Sequence, residues 1–97
     1  MSEKERSHKA TWGEAKAMAD AQKLFLRQLV DERKRQDEKW GQNIVDRDRM
    51  VVVLLEEVGE VARALLDGDV SNLSTELIQV GAVCSKFYEM IQATEGV

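Results

Sequence analysis

The chain contains no proline, one cysteine and one histidine, and aromatic residues make up only 5% of it. Without proline, no position is compelled to break a helix. The single cysteine, Cys84, cannot form an internal disulfide, which indicates a reducing cytoplasm. Cys84 lies on an apolar helical stripe, so we predict a buried, unreactive thiol. The one histidine, His8, lies in a polar stretch and is predicted to be a surface residue.

Features of membrane and nucleic-acid-binding proteins are also missing. No apolar run of about 18 residues occurs, so no transmembrane helix and no membrane partner are expected. The first ten residues, MSEKERSHKA, lack the apolar core of a signal peptide. The formal net charge of −4 disfavours nucleic acid as the main partner. At 97 residues, the chain is expected to form one domain with a marginal core.

What the sequence does contain is three long amphipathic segments, which predict an all-α fold. We predict helices over about residues 14–39, 50–67 and 73–91. The second and third are expected to form an antiparallel helical hairpin, and the first packs beside it. Residues 1–12 are predicted to be a flexible tail, and residues 13–97 a single helical domain.

Each predicted helix has an apolar stripe. In the first helix it comprises Met18, Ala21, Leu24, Phe25, Leu29 and Val30. In the second it comprises Val51, Leu54, Val58, Val61, Ala62 and Leu65. In the third it comprises Leu73, Leu77, Val80, Val83, Cys84, Phe87 and Ile91. Since one monomer cannot cover all of this surface, we expect a helical bundle completed by oligomerisation, as a homodimer or homotetramer.

Glycine and capping residues mark the helix ends. Gly41 is predicted to end the first helix and Gly68 the second. For the start of the second helix the candidate caps are Asp46 and Asp48, and for the third they are Asp69 and Ser71.

Three glutamates occupy unusual positions on the hairpin. Glu57 and Glu60 lie three residues apart at the edge of an apolar face, where they point the same way. Glu76 falls inside the apolar stripe of the third helix. A carboxylate on an apolar face needs a compensating partner, because an unpaired buried charge is costly.

The hairpin is expected to bring these acids together. Fifteen residues separate Glu60 from Glu76 across the turn at Gly68, which places the two at nearly the same height on adjacent helices. By the same count, Glu57 and Gln79 pair one turn further along. Four oxygen-bearing side chains without a nearby histidine or cysteine select a hard cation, Mg²⁺ or Mn²⁺. A carboxylate-bound Mg²⁺ usually completes its coordination with substrate phosphates.

The pattern Glu57-x-x-Glu60, fifteen residues, Glu76-x-x-Gln79 resembles the Glu-x-x-Glu and Glu-x-x-Asp motif of the MazG-like, all-α nucleoside triphosphate pyrophosphohydrolases. The phrases LLEEVGEVARALL and ERKRQDEKWG are also similar, so the resemblance extends over residues 29–88. It implies Mg²⁺-dependent hydrolysis of a nucleoside triphosphate between the α and β phosphates, giving a monophosphate and pyrophosphate. It also implies a dimer or tetramer built on a helical bundle.

Gln79 is a departure from that motif, which has Asp in this position. An amide oxygen can ligate a hard cation, but it adds no negative charge and cannot act as a general base. The candidate catalytic residues are therefore Glu57, Glu60 and Glu76, and Gln79 joins them as a metal ligand. Glu56, which points about 100° away from Glu57 on a helix, is a weaker candidate base.

Several residues near the first connection are candidates for contacting the nucleotide. Lys39, Arg47 and Arg49 can meet phosphate groups or be solvated surface residues. Trp40 can stack on a base or anchor the helix end in the core, and Asn43 can bind a base edge.

The charged segment DERKRQDEK, residues 31–39, has two interpretations. It is either a solvated helix end containing pairs such as Glu32–Gln36, or a segment that presents one or two basic groups to an anionic ligand.

Two other functions compete with hydrolysis. One is a relative that binds nucleotide and metal without efficient turnover because of Gln79. The other is a non-catalytic helical interaction protein whose acids only solvate a bundle surface, against which the position of Glu76 argues.

Overall fold

The computed structural model describes residues 7–95, which form three helices. Helix α1 spans Trp12–Trp40, α2 spans Arg47–Leu66 and α3 spans Val70–Glu95. No strand occurs within this described range, so the prediction of an all-α fold is confirmed. Helices α1 and α3 extend beyond their predicted bounds at both ends, whereas α2 begins three residues earlier and ends one residue earlier than predicted.

The start of α1 is fixed by a capping box at Thr11. The Glu14 N–H donates to the Thr11 hydroxyl, and the Thr11 N–H donates to the Glu14 carboxylate, both at 3.1 Å. This reciprocal pair satisfies two backbone N–H groups, and α1 therefore begins earlier than predicted. His8 is exposed, as predicted, and lies 3.3 Å from Glu14. Of the predicted flexible tail, residues 1–6 lie outside the described range.

The two connections follow the predicted signals. Gly41 and Gly68 both have positive φ, 78° and 68°, which glycine adopts without strain. Asp46 is the cap of α2, since its Oδ1 accepts the Arg49 N–H at 2.9 Å. Asp69 does the same for α3, with the Asn72 N–H at 3.1 Å.

Helix α3 is the central element, because both other helices pack against it. Arg47 at the start of α2 is ion-paired with Glu95 at the end of α3, so these two helices run antiparallel. Within the described residues, no Cα atom of α1 lies within 8 Å of one in α2. The helices α1 and α2 thus each pack on α3 without a close backbone contact to each other.

The core between α2, α3 and the first connection is small. Met50, Val83 and Met90 are buried, with Val45, Val53, Leu54 and Phe87 packed against them. Ala64 and Ala82 are also buried. On the other side, α1 approaches α3 at Gly81, where an added Cβ would lie 3.0 Å from Phe25 and 3.1 Å from Leu29.

The predicted apolar stripe of α2 is only partly correct. Leu54 and Val61 face the protein, but Val51, Val58 and Leu65 are exposed in the single chain. Every residue from Met50 to Leu55 is apolar, so periodicity alone could not determine which side of α2 meets α3. The short turn selects the side that carries the buried residues Met50 and Ala64.

Two further expectations about burial are wrong for the single chain. Cys84 is exposed rather than buried, because it lies on a side of α3 that neither α1 nor α2 covers. On α1, only Phe25 and Leu29 of the predicted stripe are half-buried, whereas Met18, Leu24 and Val30 are exposed.

Across residues 7–95, the helices are all too short or too polar to traverse a lipid bilayer.

Candidate metal and nucleotide site

Glu57 and Glu76 meet between α2 and α3. Both side chains are half-buried. Burial raises the pKa of the Glu57 carboxyl, and the negative charges of Glu76, Glu60 and Glu56 raise it further. The structure therefore places these two acids side by side, where they repel each other when both are ionised.

Glu60 is exposed on the same side of α2, close enough for its charge to act on Glu57. In the described part of the chain, no lysine or arginine forms an ion pair with Glu57, Glu60 or Glu76. These carboxylates are thus a local concentration of negative charge with no cationic partner from the protein.

The donor set is chemically suited to a hard divalent cation, because it consists of carboxylate oxygens whose repulsion such an ion would relieve. Its geometry is not yet that of a metal site. Among residues 7–95, no three His, Cys, Asp or Glu side chains converge closely enough to hold an ion. Joint coordination by Glu57, Glu60 and Glu76 therefore requires at least one of their side chains to rotate.

Gln79, the fourth predicted ligand, faces a different helix. It is half-buried on α3 and lies close to Glu32 of α1, whose pKa its amide helps to lower.

Glu32 lies in the charged segment 31–39, and neither of the two interpretations of that segment predicted an inward-facing acid. Its side chain is only 11% exposed. Arg35 donates to both of its oxygens, at 2.8 and 2.7 Å, and Gln36 donates at 3.1 Å, which confirms the predicted Glu32–Gln36 pair. Arg35 is also the main reason why the pKa of Glu32 is lowered, with Gln79 and Gln36 contributing. The spacing of Glu32 from Phe25 and Leu29, seven and three residues, was the signal that it faces inward.

Arg33 is a second residue whose role the sequence analysis missed. It is 8% exposed. Its Nε and Nη2 atoms donate to Glu89 of α3 at 3.0 and 2.7 Å, and Asp37 lies 3.2 Å from it. The Arg33 guanidinium holds the pKa of Glu89 below its usual range. This ion pair fastens α1 to α3, so this basic group of the charged segment is occupied within the protein.

The candidate nucleotide-contacting residues surround the first connection but do not all point to one place. Trp40 is 60% exposed, and the Lys39 ammonium lies 4.7 Å from its ring centroid. Asn43 donates to the Trp40 carbonyl at 2.9 Å. Arg47 is ion-paired with Glu95, whereas the Arg49 side chain is exposed.

A cavity of about 240 Å³ lies beside Trp40, between all three helices and the first connection. Its apolar lining consists of Val45, Met50, Val53 and Val83, and its polar lining includes Arg33, Gln36, Asn43 and Lys86. Val53 is one turn before Glu57, and Val83 is one turn after Gln79. The cavity therefore begins one turn from Glu57 along α2 and two turns from Glu76 along α3.

A larger cleft of about 560 Å³ separates α1 from the start of α3. It is lined by Gln28, Asp31, Glu32, Arg35, Ser71, Ser74, Thr75 and Ile78. Glu32 lines this cleft and also lies close to Gln79, which is one turn from Glu76 on α3.

Comparisons with known proteins returned no matching family model, no matching curated protein and no matching solved structure.

Proposed function

We propose that this protein is a Mg²⁺-dependent nucleoside triphosphate pyrophosphohydrolase of the MazG-like kind, acting in the cytoplasm on the nucleotide pool. The observation that carries the proposal is the uncompensated group of acids on the α2–α3 hairpin, with Glu57 against Glu76 and Glu60 beside them. Carboxylates that are held together without a cation repel one another, and this repulsion destabilises the chain. A divalent ion bound with a polyphosphate is the use that their chemistry fits.

The chain's own residues have separate roles in this proposal. Glu57, Glu60 and Glu76 would hold Mg²⁺, or Mn²⁺, through carboxylate oxygens, and Gln79 would contribute its amide oxygen. When bound, the cation offsets the charge that develops on the phosphates during hydrolysis. Water attacks at the α–β phosphate linkage, which releases a nucleoside monophosphate and pyrophosphate.

The cavity beside Trp40 is the proposed place of the nucleoside. Its apolar lining and its amide groups suit a planar base with polar edges, and the exposed Trp40 ring offers a stacking surface. Lys39 and Arg49 are the exposed basic groups on that side which can approach phosphate oxygens. Arg47 would first have to leave Glu95.

The direct test measures pyrophosphate released from a panel of ribo- and deoxyribonucleoside triphosphates with and without Mg²⁺. We expect Mg²⁺-dependent release that Glu76→Gln abolishes while circular dichroism shows unchanged helix content. Full activity in Glu76→Gln would overturn the assignment of the acids.

Trp40→Ala should raise KM for the nucleotide more than it changes kcat, because a stacking ring binds the ground state and the transition state equally. A loss of stability with an unchanged KM would instead make Trp40 a structural residue.

Binding without turnover is a second candidate, which the amide at residue 79 favours because it lacks a proton-accepting carboxylate. Calorimetry distinguishes the two functions: heat from Mg²⁺ and nucleotide binding, together with no pyrophosphate release, would favour binding alone.

A helical interaction protein is the third candidate, and the exposed apolar side chains of α2 favour it. It predicts neither metal nor nucleotide binding, so the same calorimetric titrations test it.

A further inference from the structure

Lys86 of α3 lines the cavity beside Trp40 and is left without a hydrogen bond there. Its side chain is only 20% exposed. Within the described residues its one ionic neighbour is Asp37, whose Oδ1 lies 4.0 Å from the Lys86 Nζ, too far for a hydrogen bond. An ammonium group carries three donors and no acceptor. Lys86 can therefore donate to a molecule that enters the cavity.

The other charged groups of the cavity lining are already paired within the protein. Arg33 donates to Glu89 at 3.0 and 2.7 Å and to the Gln36 Oε1 at 3.1 Å. Gln36 uses its amide nitrogen in a further hydrogen bond within α1. Asp37 faces the Arg33 guanidinium with both oxygens, at 3.2 and 3.5 Å. Among the described residues of this lining, Lys86 is thus the charged donor that still needs an acceptor.

The charge around the cavity favours a neutral ligand group. Arg33 and Lys86 contribute two positive charges, and Asp37 and Glu89 contribute two negative ones, all within one connected group. A balanced group attracts an anion only weakly, yet the Lys86 donors still require an acceptor. At about 240 Å³ the cavity is also smaller than the roughly 300–1,000 Å³ usual for drug-sized ligands. It suits a neutral base better than a whole nucleotide with its phosphates.

The exposure of the lining indicates which edge of a base would face Lys86. Trp40, Gly41 and Asn43 are exposed and form the mouth, whereas Val83, one turn before Lys86, is buried. A base whose sugar and phosphates stay outside enters with the edge opposite its glycosidic bond. That edge carries a carbonyl oxygen in uracil, thymine and guanine, and an amine in cytosine and adenine.

From this arrangement we infer that Lys86 is a specificity-determining residue, whose ammonium donates to the carbonyl oxygen at the entering edge of an oxo base. It thereby selects uracil, thymine and guanine nucleotides over cytosine and adenine nucleotides. An amine at that edge would set donor against donor and leave the half-buried ammonium unpaired. The inference rests on the proposed place of the nucleoside in this cavity and adds the class of base.

Matched pairs of nucleotides that differ in this one exocyclic group test the inference in the natural protein. One pair is dUTP and dCTP, and the other is the triphosphates of inosine and adenosine. We expect kcat/KM to favour the oxo member of each pair by about tenfold or more, as for a site that hydrogen-bonds a substrate group. Equal values within both pairs, or a preference for the amino members, would overturn the inference.

Binding without metal is the second measurement, and it needs no turnover. The probes are dUMP and dCMP, titrated by calorimetry into the full chain in the presence of EDTA. We expect dUMP to bind more tightly than dCMP by about the same factor. Equal affinities, or no binding of either monophosphate, would count against the role of Lys86.

Lys86→Met removes the donors while keeping an unbranched apolar side chain. We expect it to weaken binding of dUMP, to change binding of dCMP little, and so to remove most of the preference. If Lys86 only stabilised the fold through Asp37, both monophosphates would lose affinity equally. Lys86→Gln serves if the Met variant does not fold, since its amide keeps a donor but adds an acceptor, and it should reduce the preference. An unchanged preference in a folded Lys86 variant would overturn the inference.

Lys34→Met is the matched control. Lys34 is exposed on α1 and does not line this cavity. The change removes the same charge from the chain, so it reports any effect of net charge alone. It should leave both the affinities and the preference unchanged. An equal loss of dUMP affinity in Lys34→Met and Lys86→Met would contradict a local role for Lys86.

The outcomes separate this inference from the proposed function. If the natural protein hydrolyses both members of each pair equally well, the inference is wrong and the proposed function stands. If it releases no pyrophosphate but binds dUMP more tightly than dCMP, the proposed function fails and the role of Lys86 stands.

Discussion

At the scale of single residues, Glu57 has the environment that most clearly departs from an ordinary surface acid. Its carboxyl is half-buried and lies among Glu76, Glu60 and Glu56, which raise its pKa. An acid whose pKa is raised on folding is destabilising when ionised, and the penalty disappears only as the pH falls below the ordinary carboxyl range. At neutral pH, Glu57 therefore destabilises the metal-free chain.

We accordingly expect Glu57→Gln to raise the melting temperature of the metal-free protein at pH 7, because the amide removes the repulsion. The same variant should lose the additional stabilisation that millimolar Mg²⁺ gives the natural protein, since binding to the native state is what supplies it. Thermal denaturation with Mg²⁺ or with EDTA measures both effects. Glu38→Gln, at an exposed position of α1, is the control and should change neither. A Glu57→Gln protein that still gains full stability from Mg²⁺ would remove Glu57 from the site.

Glu89 has the opposite shift. The Arg33 guanidinium lowers its pKa, with Ser85 and Lys86 also contributing. A lowered carboxyl pKa adds stability that is present above the ordinary range of about 4 and is lost as the pH falls through the folded-state value.

Glu89→Gln should therefore destabilise the protein at pH 7 by about 1 kcal/mol, as expected for a charge-assisted hydrogen bond that is half-exposed to solvent. The difference between the natural protein and the variant should shrink as the pH is lowered below about 4, where Glu89 becomes protonated. Chemical denaturation between pH 7 and pH 3 measures this. A difference that stays constant over the whole range would show that the Arg33–Glu89 ion pair does not contribute to stability.

At the scale of helices, the α1–α3 contact is narrow and depends on Gly81. A Cβ at this position would meet Phe25 at 3.0 Å and Leu29 at 3.1 Å, both closer than ordinary van der Waals contact. A helical glycine is normally costly, by about 1 kcal/mol relative to alanine. Gly81 is retained at this cost because the two helices approach each other here.

Gly81→Ala and Gly59→Ala form a matched pair that tests this interpretation. Gly59 is also helical, but an added Cβ there would meet no atom within 4 Å. We expect Gly59→Ala to raise the free energy of unfolding by about 0.5–1 kcal/mol. Gly81→Ala should not show this gain, because Phe25 and Leu29 must move to admit the methyl group. Equal gains in urea denaturation would mean that the contact at Gly81 does not constrain the helices.

At the scale of the whole molecule, one chain leaves much apolar surface uncovered. Leu55 and Leu65 on α2 are both more than 60% exposed, as are Val70 and Tyr88 on α3. No large side chain in the described part of the chain is fully buried. Such surfaces are typical of protein–protein contacts, and we propose that a second copy of this chain covers them, in a homodimer or homotetramer.

Sedimentation should accordingly show a species heavier than the 11.0 kDa monomer. Leu55→Lys combined with Leu65→Lys should shift the protein toward the monomer, because each lysine places a charge in the proposed interface. Gln22→Lys, at an exposed polar position of α1, is the control and should leave the assembly intact. A natural protein that sediments as a monomer at all concentrations would contradict the proposal.

The sequence by itself determined the helices and their ends. Three long apolar periodicities without proline allow only an all-α chain. Gly41, Gly68 and the aspartate caps act locally, so their roles follow from neighbouring residues alone. The hairpin count also predicted that the acids of α2 and α3 come together, but it paired Glu60 with Glu76 and Glu57 with Gln79. In the structure Glu76 acts most strongly on Glu57, and Gln79 lies near Glu32 of α1.

Only the tertiary structure decided which side of each helix is buried and what α1 contributes. The packing angle of α1 on α3 depends on contacts such as Gly81 with Phe25, between residues far apart in the chain. No local pattern encodes that angle. The packing of α1 on α3 brings Glu32 close to Gln79 and Arg33 into an ion pair with Glu89. The charged segment, whose composition is typical of solvated surface, therefore contains the residues that attach α1 to α3. From sequence alone, a charged residue is predicted to be exposed to solvent, because most charged residues are. Which charged residues are buried depends on the neighbours that pack against them from other helices.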